Sequence, residues 1–326
     1  TPFEAVTGMY SLPGRHDIDP TAILAPFYFL FFGLMLSDAA YGLILTTLCA
    51  IILKKYKPEG TTHRMIKMFM FCGLSTFMWG ALFGGWFGNF FTVAAKTFFG
   101  KEFVIKPLWF DPLSEPMRLL VVSLILGAVH LFVGMGVQAY MDIKDGRLLD
   151  ALFDIGLWYL LLIGIVLFAF GGKLGEGAVG IGKIMAIVGA VGILLTGGRK
   201  KKGIFGKLTG GLGSLYGITS YLSDVLSYSR LLALGLATGV VAQVFNTLGS
   251  LAGGGIAGSI LLIVVFAFGT VFNIAINALG AFVHSCRLQY VEFFGKFYTG
   301  GGRPFAPFER KTKYIKILKE GNDNVK

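Results

Sequence analysis

The chain has 326 residues, 55% of them hydrophobic and 14% charged, with a formal net charge of +11 and a mean hydropathy of +0.72. Soluble globules carry about 25% charged residues, so this composition excludes one and describes a helical membrane protein. In a soluble protein the basic excess would suggest nucleic acid; here it is the loop charge that orients a multi-pass chain.

The 31 Phe and 47 Gly fit this class, since glycine lets membrane helices approach closely. The chain opens on Thr1 and shows no secretory pattern before Ala22. We therefore expect residues 1–21 to be a segment that follows a cytoplasmic domain, and the chain to be the membrane part of a longer protein. Apolar runs follow over 22–53, 65–91, 117–141, 150–170, 178–196, 212–248 and 256–296. The middle runs are near the ~20 residues that cross a ~30 Å hydrocarbon core. The first would make a helix ~48 Å long at ~1.5 Å per residue, and it is interrupted by Ser37, Asp38 and Gly42. It reads as two short helices meeting at a polar break.

The predicted fold is thus all-α with eight membrane helices. Six form a scaffold over 22–211, the first two as a broken hairpin, and two long helices occupy 212–296. These last two runs, 37 and 41 residues, exceed a perpendicular crossing, so strong tilt or kinking is expected.

Charge placement gives the direction. Loops 54–67, 141–150 and 197–211 and the tail 296–326 hold 5, 2, 5 and 8 Lys/Arg, against 3, 1 and 0 in loops 92–116, 171–177 and 249–255. Twenty against four places both ends of the chain, including the basic tail 297–326, in the cytoplasm. The cluster Arg199–Lys200–Lys201–Lys202 reads as a topology anchor beside anionic lipid heads. Loop 92–116 offers Trp109 and Phe110 to the membrane interface, and the Gly-rich 249–255 reads as a tight connection. Cys49, Cys72 and Cys286 lie in apolar stretches without paired spacing and read as core residues.

Polar residues concentrate in the last two runs. Tyr216, Ser220, Ser223, Ser227 and Arg230 recur at spacings of four and three, which places them on one helix face. Asn273, Asn277, Gly280, His284 and Arg287 repeat the rhythm in the final run, with Gln289 and Glu292 beyond. A guanidinium at the bilayer centre costs ~2.5–3.5 kcal/mol on insertion scales and stays charged, so Arg230 needs an ion or a charged partner. Gly235 and Gly239 follow it with spacing that permits close helix approach. His130, alone on an apolar helix, reads as a hydrogen-bonded interhelical residue. Two readings stay open for Asp224 and Glu292, as ion-path groups or as partners of the arginines. The same holds for His284, Asn273 and Asn277, which serve either a path or interhelical bonding, and for Asp38, which either joins a path or breaks the helix. Metal-ligand spacing is absent, and each Gly-Lys pair lacks the following Ser/Thr of a phosphate loop, so no cofactor and no direct nucleotide binding are expected.

Three stretches carry a family resemblance. Ser220–Asn246, SYLSDVLSYSRLLALGLATGVVAQVFN, resembles the arginine-bearing helix of the membrane stator subunit of V-type and V/A-type rotary ATPases, called subunit a in eukaryotes and subunit I in prokaryotes. Leu279–Phe308 is similar to the family's final helix with its second arginine, and Pro26–Gly42 to its opening hairpin with a central acidic residue. The resemblance implies eight membrane helices and docking against a ring of proteolipid rotor subunits with buried carboxylates. Peripheral-stalk and central-stalk-linked subunits of the same complex, and the lipid bilayer of the cell membrane, are further implied partners.

It makes Arg230 the essential stator arginine and Arg287 the second. Glu292, His284 and Gln289 are then candidates for an inner ion path, and Ser223, Asp224, Ser227, Asn273 and Asn277 for an outer one, with Asp38 and Tyr216 as further candidates. Thr238 and Tyr216 stand where eukaryotic members carry a histidine and a glutamate, and Asn277 where they carry a glutamate, which favours a prokaryotic member. On this reading the chain is a non-catalytic subunit moving H⁺ or Na⁺. The alternative is a self-contained secondary transporter or channel, its polar stripes lining a midplane site of its own.

Overall fold

Ser37 and Asp38 break the first apolar run as the sequence leads one to expect. Ser37 takes a left-handed backbone (φ 34°), and the Asp38 carboxylate caps the next helix by accepting from the N–H groups of Ala40 and Tyr41. The structure, a computed structural model, describes residues 2–14, 17–100, 105–173, 176–199, 204–251 and 255–302. The basic tail past residue 302, Lys200–Lys202 and residues 252–254 of the Gly-rich connection lie outside the described residues.

In chain order the helices are α1 (Glu4–Tyr10), α2 (Thr21–Leu36), α3 (Ala39–Tyr56), α4 (Gly60–Phe83), α5 (Phe90–Phe99) and α6 (Pro116–Lys144). A short α7 (Leu148–Asp150) runs through a π-helical turn, Ala151–Gly156, into α8 (Leu157–Phe170), which α9 (Glu176–Thr196) follows. The run predicted over 212–248 is α10 (Ile204–Tyr216), α11 (Ile218–Ser227) and α12 (Ser229–Ser250). The last is α13 (Ile256–Arg287), a π-helical stretch Leu288–Phe294, and α14 (Gly295–Phe297). Seven helical stretches are long and apolar enough to cross a membrane: Ala39–Tyr56, Gly60–Phe83, Pro116–Lys144, Leu148–Ala169, Gly177–Thr196, Thr209–Ser250 and Gly258–Phe297. The apolar α2 is shorter, at 16 residues.

Three details differ from the sequence reading. The 65–91 run stops at Gly84, whose positive φ of 74° ends α4. The predicted loop 92–116 contains most of α5, and its Phe110 is buried against Phe83 while Trp109 stays exposed. The second polar stripe does not hold one face, because Asn273 and Asn277 point inward and Arg287 outward. A three-four spacing drifts by ~20° per heptad, and the π turn then rotates the chain further.

Close backbone approach holds the first helices together. A Cβ on Gly42 of α3 would lie 2.3 Å from the Phe77 nitrogen, and one on Gly80 of α4 2.0 Å from the Ala39 nitrogen. At the end of the bundle that carries Asp38, the Trp109 N–H donates to Leu82 O and the Asn246 amide to Phe87 O. At the other end, Tyr290 donates to Val6 O, Tyr298 to Ser11 O, and Arg199 pairs with Asp150 and Asp154.

Overpacking a tight contact costs ~1–3 kcal/mol or more. Gly80→Val should therefore lower the melting temperature by several degrees, whereas Gly177→Val, with nothing within 4 Å of the added atom, should leave it unchanged. Equal thermal scans for both would contradict the close α3–α4 contact.

Asp17, outside the membrane-crossing stretches, clasps the segment before α2 to residues 299–300. Burial alone would raise its carboxyl, but hydrogen bonds from the Thr299 hydroxyl (2.8 Å) and the N–H groups of Gly14 (3.1 Å) and Gly300 (2.8 Å) outweigh it and hold the group below its ordinary value. A lowered folded value means that the clasp contributes fully above the unfolded pKa of ~3.9 and is lost as pH falls through the folded value. At pH 7, Asp17→Ala should speed amide exchange at Gly300, and the wild type should match it only in acid, once the pH has fallen through the lowered folded value. Identical protection of the two chains at pH 7 would remove Asp17 from this role.

Candidate functional site

The site begins with two places where regular helix fails. At Tyr228 the backbone turns (φ −73°, ψ −7°) and separates α11 from α12. This sends the Tyr228 ring fully into the core, with Ser229 exposed and Arg230 at the boundary. The ring fits because α6 has Gly127 there; a Cβ at that position would sit 2.3 Å from Tyr228 Cγ. The second failure is the π-helical stretch Leu288–Phe294, whose wider turn buries Leu288, Gln289, Glu292, Phe293 and Phe294 together. Such π segments recur at functional sites because they re-aim side chains within an otherwise continuous helix.

Between these irregularities, Arg230 Nη1 meets Glu292 Oε1 at 3.5 Å. Glu292 is 2% exposed and Arg230 27%, so the acid lies inside and the guanidinium reaches toward the surface. The Ser227 hydroxyl lies beside the same carboxylate. Glu292 Oε2 is buried with no hydrogen-bond partner, as is Gln289 Nε2. A buried acid with one long ion-pair contact, one hydroxyl beside it and one oxygen unpartnered is only half satisfied, and such groups are rare enough in native proteins to call for a reason.

Asp224 pairs with Lys296 rather than with an arginine, and the Lys296 ammonium also sits 4.3 Å from the centre of the Tyr221 ring. His284 lies within electrostatic reach of both Arg230 and Arg287, and its Nδ1 is buried without a partner. Arg287 is exposed, and no carboxylate lies within ion-pair distance of it among the described residues. Exposed apolar side chains precede both arginines along the chain, Leu222 and Leu226 before Arg230 and Leu279 and Val283 before Arg287.

The remaining candidates lie elsewhere. The Asn273 amide donates to Tyr41 Oη (3.0 Å) and Thr238 O (3.1 Å), joining α13 to α3 and α12, and the Asn277 amide donates to Asn273 O at 3.1 Å. Asp38 accepts from the N–H groups of Ala40, Tyr41, Phe87 and Gly88. It borders a cavity of about 220 Å³ together with Asn89, Asp111 and Gln243. Tyr216, Ser220 and Ser223 are exposed along α10 and α11, on the stripe that leads to Arg230. Gly235 meets Leu34 O of α2, where an added Cβ would be 3.1 Å away, so half of the Gly235/Gly239 pair serves helix approach.

Two residues that the sequence did not single out complete the cluster. Tyr228 and Lys296 are the partners of His130 and Asp224, respectively. A polar aromatic two residues before Arg230 was the available signal for the first. Nothing in the local pattern marks the second.

A profile of the V-type ATPase 116kDa subunit family matches residues 218–310, which contain the whole Arg230–Glu292 constellation. The chain is 36% identical to a protein of Methanocaldococcus jannaschii named A-type ATP synthase subunit I, over 96% of this chain and 48% of that one. It is 38% identical to the A-type ATP synthase subunit I of Thermococcus kodakarensis, over 97% and 47% of the two chains. A V-type ATP synthase subunit I of Chlamydia muridarum is 24% identical over 94% and 54%. The chain spans about half the length of the curated relatives it matches.

The Asn273 bonds should read out as stability. Interhelical hydrogen bonds in membranes contribute ~0.6–2 kcal/mol. Asn273→Ala, which frees both Tyr41 and Thr238, should lower the unfolding free energy by about 1 kcal/mol. A variant as stable as the parent would show that these bonds contribute nothing.

Proposed function

The chain belongs to the subunit I family of A-type and V-type ATP synthases, and from that membership we propose that it is the stationary ion-conducting subunit of a rotary ATPase membrane sector. It is a multi-pass membrane protein. Its partner is a ring of small rotor subunits, each with a carboxylate at mid-membrane depth, and ATP is hydrolysed or made on other chains.

One observation carries this reading. Arg230 reaches toward the surface between exposed leucines and serines of its own helix run, held from behind by a long contact to a buried acid with one oxygen unpartnered. Facing lipid alone, that guanidinium would be costly. Facing a passing carboxylate, it removes the several kcal/mol that desolvating an unpaired acid would cost. It also makes the acid release its cation, because an adjacent fixed positive charge favours the ionised carboxylate. Arginine suits the task because its planar fork holds a carboxylate and keeps its proton. The pair with Glu292 is loose enough for the arginine to exchange partners as the ring turns. Arg287 extends the positive face and blocks a direct ion leak past Arg230.

Two half-paths then serve the ring from opposite sides of the membrane. The inner one uses Glu292 and Gln289 together with Ser227 and Asp224, which the sequence suggested for the outer path but which lie beside Glu292 and Lys296, respectively. The outer one draws on the cavity beside Asp38. Excess basic charge in the loops at the end opposite Asp38 puts that end in the cytoplasm.

Arg230→Ala and Arg230→Lys should each cut ATP-driven ion transport by the reconstituted complex at least ~100-fold, since a few kcal/mol of desolvation falls back on the crossing step at ~1.4 kcal/mol per tenfold. The chain reconstituted alone should move no ions. Retained transport in either arginine variant, or ion flux through the isolated chain, would favour a self-contained transporter instead.

A further inference from the structure

We infer that His130 is a positioning residue that sets the Arg230–Glu292 contact by tying together the two backbone irregularities on which its ends are mounted; the inference rests on the function proposed above. The geometry is a closed circuit. Tyr228, at the bend and two residues before Arg230, places its hydroxyl 2.7 Å from His130 Nδ1. Gln289, near the start of the π-helical stretch and three residues before Glu292, places Oε1 3.1 Å from His130 Nε2. Arg230 and Glu292 then meet at 3.5 Å and close the ring. One imidazole tautomer serves both sides, with the Nε2–H donating to Gln289 and Nδ1 accepting from the Tyr228 hydroxyl. Among the described residues no other side chain hydrogen-bonds both Tyr228 and Gln289.

The imidazole is also fixed in orientation. It is fully buried, stacked on Phe293 at 4.4 Å with 15° between the planes, 4.4 Å from the Phe27 ring, and edge-on to Phe31 at 5.1 Å. A ring held on three sides cannot swing to carry an ion, which separates a positioning role from a place on the path. Packing alone would be served by phenylalanine, whose ring keeps the stack and loses both hydrogen bonds. Without them Tyr228 and Gln289 lose their shared anchor, and the bend and the π turn are free to shift independently. A shift of ~1 Å in a supporting group is enough to impair a positioned site.

The test compares His130→Phe, His130→Gln and Tyr228→Phe in the assembled complex, each reconstituted with its ring. Two quantities are read: ions moved per ATP hydrolysed, and carbodiimide labelling of Glu292 by mass spectrometry, which does not depend on turnover. His130→Phe should lower ions per ATP about fivefold, with the KM for ATP unchanged, and raise labelling of Glu292 severalfold as the Arg230 contact loosens. His130→Gln, which can still donate to Gln289, should recover part of both. Tyr228→Phe, missing one oxygen only, should move both in the same direction and guards against a folding failure of the first variant. Wild-type coupling and labelling in both phenylalanine variants would overturn the inference, as would a lower melting temperature with neither quantity changed. If Arg230→Ala abolishes transport while His130→Phe preserves it, only this inference fails; if Arg230→Ala preserves transport, the proposed function fails with it.

Discussion

A guanidinium among apolar side chains must meet a counter-charge, and most of what is unusual in this chain follows from how that demand is half met. Glu292 supplies the charge from inside, at a distance where the contact is weak, and stays 2% exposed while Arg230 keeps a quarter of its side chain at the surface. A tight bidentate pair would have closed the account within the chain. The observed pair leaves one oxygen of Glu292 and the outward side of Arg230 uncommitted. That unfinished pairing is the physical content of the stator reading.

The fold delivers this arrangement by spending irregular backbone where it changes aim. The turn at Ser37–Asp38 reverses the chain and feeds a capped helix, with Gly42 and Gly80 allowing α3 and α4 to touch through their backbones. The bend at Tyr228 and the π-helical stretch after Arg287 do the opposite of capping: they keep long helices running while rotating a few side chains inward. Between them, α6 contributes Gly127 for the Tyr228 ring and His130 for its hydroxyl. The α8–α9 hairpin, by contrast, is closely packed through glycine and shows long exposed apolar surfaces, as suits a lipid-facing support.

Much of this is legible in the sequence. Mid-run polar residues locate the break at Asp38, hydropathy locates most of the spans, and the isolated Arg230 points to the candidate site. The limits have physical causes. Periodicity assumes a straight α-helix, so it placed Asn273 and Arg287 on one face and had no means of seeing the π turn that buries Gln289 with Glu292. Pairings between distant segments were equally hidden. Arg230 finds Glu292 62 residues away and His130 finds Gln289 159 residues away, and local spacing says nothing about either. For Asp38 and Asn273, the bonding role weighed beside an ion-path role is the one for which the structure supplies partners. The ring partner is a proposal that rests on the similarity to subunit I proteins.

The central claim is that the Arg230 face meets a carboxylate-bearing neighbour inside the membrane. A photo-crosslinker at Leu226, exposed one turn before Arg230, measures this directly in the intact complex. The account predicts a covalent product with a small ring subunit, mapped close to its mid-membrane Asp or Glu. Adducts with lipid alone at Leu226, alongside capture of the ring from the exposed α8–α9 surface, would contradict it.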